Sequence, residues 1–228
     1  MERYAVYFMP AAGSDLGAFG ASVIGRDAET GAAVRPLPRL AETFETWSAM
    51  TAAPRRYGFH ATLKAPFRLT DGAREADVLA AATAFAETHH PIALPPLQVA
   101  RLGRFLALTE SAASSAVSDF AAAVVRAFDP LRAPLSAEDR AIRLAAPLSA
   151  RQIELLDAWG YPHVLDQFRF HMTLTGPLPD ADAARAKAVL TELFESVAQP
   201  DSIEALTIAK QSAPDAHFLV LDRLPLRG

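Results

Sequence analysis

The tetrad His-x-Thr-Leu occurs twice, as His60-Ala61-Thr62-Leu63 and as His171-Met172-Thr173-Leu174, and each copy opens the same succession of elements. In the first copy residues 57–69 read as a strand, Asp71-Gly72 turns the chain into an Ala-rich helix ending near His89, and strands are expected over 92–100 and 104–109. In the second, residues 168–175 read as a strand, Asp180 begins a helix running to about Ala198, and strands follow over 203–209 and 217–221. A strand-helix-strand-strand unit used twice, around 57–109 and 166–223, predicts an α+β chain of two pseudo-symmetric lobes within one domain spanning residues 1–228. Residues 114–160 between the copies read as a helical link, with Ser149 capping Ala150–Trp159 and Gly160 stopping it. Ahead of the copies, Tyr4–Met9 reads as a buried strand, Ser14 as the cap of a helix carrying Leu16, Phe19, Val23 and Ile24, and residues 40–50 as a further helix.

On a strand, side chains alternate between faces, so His60, Thr62 and Lys64 fall on one side and Phe59, Ala61 and Leu63 on the other. In the second copy Phe168, Phe170, Met172 and Leu174 share one face, leaving Arg169, His171, Thr173 and Thr175 on the opposite one. The apolar faces account for strands packed on a core. They do not account for two histidines at equivalent positions. Opening a phosphodiester with water needs one group to take a proton and another to protonate the departing alkoxide. Two imidazoles, with an ordinary pKa near 6.5, can fill both roles at neutral pH, and the threonine hydroxyls on the same face can donate to phosphoryl oxygens. The candidate catalytic residues are therefore His60, Thr62, His171 and Thr173, and sequence does not say which histidine is base and which acid.

The paired tetrads resemble the signature of the two-histidine (2H) phosphoesterase superfamily, which includes RNA 2′,3′-cyclic phosphodiesterases and LigT-like enzymes. More narrowly, Arg56–Lys64, Phe105–Leu108, Phe128–Leu135, Trp159–Pro162 and Phe168–Gly176 resemble a branch encoded in bacterial phosphonate-utilisation operons. The resemblance implies a LigT-like fold, two lobes of antiparallel sheet flanked by helices and facing each other across a central cleft. It also implies a metal-independent cyclic phosphodiesterase in phosphonate catabolism, acting on a small phosphorylated substrate such as a ribosyl cyclic phosphate, with other proteins of that pathway as partners.

Further residues are candidates for substrate binding. Lys64 and Arg169 share the tetrad faces and could hold a phosphate, and Arg68 follows on the same parity unless Pro66 introduces a bulge. Tyr7 and Tyr161 could line a cleft, with Arg143 a weaker candidate. His89 and His90 suit the end of a helix, where positive charge complements the dipole. No His-x-His, His-x-x-x-His or His-Glu-x-x-His spacing occurs and the chain has 0 cysteines, so no metal site and no thiolate chemistry is expected. Neither Gly-x-Gly-x-x-Gly nor a Walker A sequence is present, which gives no ground for a nucleotide cofactor.

Charge narrows the partners. A net charge of −4 argues against a broad polyanion-binding surface, which ranks the RNA 2′,3′-cyclic end phosphodiesterase or ligase below a small-molecule enzyme. A non-catalytic protein that binds a phosphorylated metabolite is the reading from a different class. No apolar run approaches the ~18 residues of a membrane span and the start lacks an export pattern, so a cytoplasmic protein is expected.

Overall fold

In a computed structural model that describes residues 1–228, seven strands form one antiparallel sheet. The chain starts with β1 (Arg3–Phe8), which enters α1 (Asp15–Ile24) through Ser14, whose hydroxyl accepts from the Gly17 amide. Three short helices follow, α2 (Pro38–Thr43), α3 (Trp47–Met50) and α4 (Ala52–Arg55). The expected single helix over 40–50 is thus broken. Phe44 ends α2 in an extended conformation (φ −134°, ψ 105°), which lets Phe44 and Trp47 bury together with ring centroids 5.4 Å apart.

The first tetrad enters β2 (Ala61–Phe67), after which come α5 (Glu75–Thr88), β3 (Ile92–Ala93), β4 (Leu97–Leu102) and β5 (Phe105–Glu110). The link region holds α6 (Ser115–Phe128), α7 (Ala137–Leu144) and α8 (Ala150–Trp159), the last capped by Ser149 and stopped by Gly160 at φ 76°. The second tetrad forms β6 (His171–Thr173), followed by α9 (Asp180–Phe194), β7 (Ser202–Ile203), β8 (Ala205–Gln211) and β9 (Leu219–Pro225). Both tetrad strands are shorter than the sequence suggests. Tyr57 to His60 leave the ladder because Gly58 turns at φ 85°, and β6 keeps only three paired residues.

The strand order is β4-β5-β6-β2-β1-β8-β9, with β3 and β7 paired apart. The fold is α+β with two lobes, and these are halves of one sheet joined edge to edge, where facing sheets were expected. Between β6 and β2 the register is one pair, Ala61 with Met172. Each repeat also sends its hairpin to the other half: β5 of the first pairs with β6 of the second, and β8 of the second reaches β2 through β1. Helices α1, α5, α6 and α9 cover one face and bury it in a cluster of 41 residues that includes Val6, Phe8, Leu63, Phe170 and Met172. The opposite face carries the polar residues of both tetrads.

Candidate active site

The Ala61–Met172 pair fixes what the two tetrads can do together. In an antiparallel ladder the neighbours of a pair oppose each other in reverse order, so Thr62 lies across from His171, and His60, just ahead of the strand, shares a cavity with Thr173. Ala61 and Met172 are both fully buried on the core face, which sends the four histidine and threonine side chains to the other. The histidines occupy diagonal corners of this square and the threonines the other two. Diagonal neighbours on adjacent strands stand about 7–8 Å apart, within the combined span of two long side chains.

Each imidazole is held in the same way. His60 Nδ1 lies 2.8 Å from the carbonyl oxygen of Gly58, and His171 Nδ1 lies 2.8 Å from that of Arg169, two residues back in both cases. A carbonyl only accepts, so Nδ1 carries the proton and donates it, leaving Nε2 as the nitrogen available for chemistry. The Thr62 hydroxyl meets His60 Nε2 at 3.1 Å. Tyr7 packs its ring 3.9 Å from the His60 ring. Burial pushes the pKa of His60 from the ordinary 6.5 down to about 4, opposed by the Gly58 carbonyl and assisted by His171 and Arg26. His171 is also depressed, by burial and by the Arg169 guanidinium, against the pull of the Arg169 carbonyl.

The space above the square is shared by two adjoining cavities. One, of ≈ 460 Å³, takes in Thr62, His171, Arg169, Tyr161, His163 and Gln152. The other, of ≈ 240 Å³, takes in His60, Thr173 and Tyr57, and Phe105 borders both. Arg169 is exposed at the rim beside His171, where a guanidinium can grip a phosphate. Thr175, which parity places with the tetrad, is instead fully buried, donating to the Gly176 carbonyl and accepting from the Leu106 amide.

Other expected binding residues are placed differently. Lys64 is only 2% exposed: Leu63, Lys64 and Ala65 are buried in succession because the β1–β2 register shifts there, and the Lys64 ammonium donates to Asp129 at 2.7 Å and to the Val125 carbonyl at 3.3 Å. Its charge is committed to the end of α6, away from the tetrads. Tyr7 is fully buried and its hydroxyl finds no partner, so it supports the His60 ring and does not offer a hydroxyl to solvent. Arg68 pairs with Asp139, drawn away from β2 as the following residues bridge Leu69 to Arg132. Arg143 stacks its guanidinium 5.1 Å over the Tyr161 ring. His89 ends α5 with its Nδ1 donating to the Phe85 carbonyl at 2.8 Å, in keeping with a capping role.

His163, Tyr57 and Phe105 belong to the site without having been singled out. His163 stands two residues beyond Tyr161, a spacing that could have linked them, and its pKa is lowered by burial, by His171 and by Arg143. Phe105 stood within a segment that carries the resemblance but drew no role of its own, because an aromatic residue opening a strand reads as core.

Comparison with known proteins places most of the chain in a family. The chain is 41% identical over its whole length to "Ribose 1,5-bisphosphate phosphokinase PhnN" of Janthinobacterium sp. (strain Marseille), covering 51% of that protein. Across 79% of its length it is 40% identical to a protein of the same name from Laribacter hongkongensis (strain HLHK9), covering 41% of it. The chain thus spans about half the length of the curated relatives it matches. A family model described as "Protein of unknown function (DUF1045)" matches residues 62–219, from the threonine of the first tetrad through the whole of the second, and the chain belongs to that family.

Proposed function

We propose that the protein is a metal-independent 2H-type phosphodiesterase that opens a small cyclic phosphate. The observation that carries the reading is the Ala61–Met172 register, which sets two imidazoles diagonally across two threonine hydroxyls. In-line displacement at phosphorus needs the entering and leaving oxygens on opposite sides, and a phosphorus seated over the centre of the square has a histidine on each side. His60, the more strongly depressed, is neutral and takes a proton from water through Nε2. The water oxygen bonds to phosphorus, the ester P–O bond breaks, and protonated His171 delivers its Nε2 proton to the alkoxide. Thr173, and Thr62 once the attacking water replaces it at His60 Nε2, donate to the non-bridging oxygens, and Arg169 holds the phosphate from the rim.

The relatives' names suggest the substrate. The chain carries no Walker A sequence, so we assign their kinase activity to the half that this chain does not match. Hydrolysis of the 2-ester in a ribose 1,2-cyclic phosphate bearing a 5-phosphate yields ribose 1,5-bisphosphate, the compound those names contain. A phosphodiesterase of this kind would supply such a kinase, consistent with a place in phosphonate catabolism.

The test is a rate comparison in EDTA, with the ribosyl cyclic phosphate set against an RNA oligonucleotide ending in a 2′,3′-cyclic phosphate. The sugar phosphate should be opened faster, with no effect of the chelator. Preference for the RNA end moves the activity to RNA processing, and tight calorimetric binding without product makes the protein a sensor.

A further inference from the structure

A separate pocket, of ≈ 60 Å³, is also bordered by Tyr161. It has room for a compact polar group such as a phosphate. Five cations border it, Arg3, Lys64, Arg68, Arg132 and Arg143. Two carboxylates answer them: Asp129 binds both Lys64 and Arg132, and Asp139 binds Arg68. Arg3 donates to the neutral Gln211 side chain, and Arg143 rests on the Tyr161 ring, so neither cation has a carboxylate partner. Three positive charges are left over in a chain whose net charge is −4. The apolar wall of Phe67, Leu135 and Trp159 lowers the local dielectric and strengthens the attraction for an anion.

The pocket adjoins the tetrad cavity along three lines. Tyr161 borders both, Thr62 of the cavity and Lys64 of the pocket are two residues apart on β2, and His163 and Val164 are consecutive across the same boundary. A ligand occupying both would present two anionic groups separated by a small linker.

From this placement we propose that the Arg143–Tyr161 pocket is a subsite for a terminal phosphate monoester, so that the substrate is a cyclic phosphodiester carrying a second phosphate one sugar away. The proposal rests on the phosphodiesterase reading and narrows it. Asp129 and Asp139 hold Lys64, Arg132 and Arg68 in fixed positions, while Arg143 is the cation free to close on the monoester. A dianionic monoester meets the surplus charge better than a neutral hydroxymethyl group, so the pocket sets specificity for the phosphorylated sugar.

Two measurements test it. The first compares kcat/KM for ribose 1,2-cyclic phosphate with and without a 5-phosphate, in the wild type and in Arg143→Ala. Helix α7, which carries Arg143, has no buried residue, so the variant retains the fold. The phosphorylated substrate should be preferred by roughly 10- to 100-fold, a preference that Arg143→Ala largely removes. The second is calorimetry with ribose 5-phosphate, which contains no diester. It should bind the wild type and bind Arg143→Ala at least about 10-fold more weakly. Equal kcat/KM on both substrates, or a preference and binding that survive in Arg143→Ala, overturn the subsite and leave the phosphodiesterase in place. Turnover of neither substrate, with ribose 5-phosphate binding still dependent on Arg143, supports the subsite and removes the phosphodiesterase.

Discussion

At the scale of single residues the two tetrads are alike in sequence and unlike in environment. His60 is wedged between the Tyr7 ring and the Thr62 hydroxyl, whereas His171 faces a larger cavity edged by the exposed Arg169. In the proposed mechanism this difference separates their acid-base roles, which sequence left open. It also predicts a pH profile. As pH rises through about 4, His60 loses its proton and becomes a competent base, so kcat/KM increases. As pH rises further, through the value of His171 below 6.5, the acid loses its proton and kcat/KM decreases. The expected result is a bell lying between about 4 and 6.5, measured on the free enzyme at low substrate. A rate that keeps climbing into alkaline pH contradicts the assignment. That the four tetrad residues share a face was legible because side-chain parity on a strand is local. The place of Lys64 was not, because a register shift against β1 is a property of two strands and leaves no mark in either alone.

At the scale of elements, the site depends on how the chain enters β2. Gly58 adopts φ 85°, and a Cβ there would stand 2.6 Å from the Ala28 Cβ, so Gly58→Ala meets both backbone strain and a clash. A Cβ on Gly20 of α1 would fall 1.8 Å from the ring of Phe59, the residue before His60. Each substitution is expected to lower stability by about 1–3 kcal/mol in urea denaturation and to reduce turnover as His60 is displaced. Full stability and full activity in both variants would separate the helix α1 packing from the site. Helices α1 and α8 were readable from their capping serines, and α8 also from its terminal Gly160, since those signals are local. The broken helix over 38–50 and the shortened tetrad strands were not, because they follow from burial of Phe44 and Trp47 and from a single long-range strand pair.

At the scale of the molecule, two half-sheets share one joint, and the square of tetrad residues is that joint. The duplication was visible in sequence, but the exchange of hairpins between halves was not, because either hairpin could have paired with its own first strand. The link region ties the sheet down through Lys64, whose ammonium reaches Asp129 at the end of α6. Lys64→Ala leaves Asp129 with Arg132 alone and is expected to cost about 1.5–3 kcal/mol of stability by thermal or urea unfolding, where an unchanged midpoint would deny the tie. No helix is long and apolar enough to cross a membrane. The central claim is that imidazoles from both halves act on one phosphorus. Its most direct test is kcat/KM for the ribosyl cyclic phosphate in His60→Ala and in His171→Ala, with circular dichroism to verify folding. The account predicts that each variant stays folded and loses about 10²- to 10⁴-fold in rate. A folded variant of either kind that turns over near the wild-type rate would contradict it.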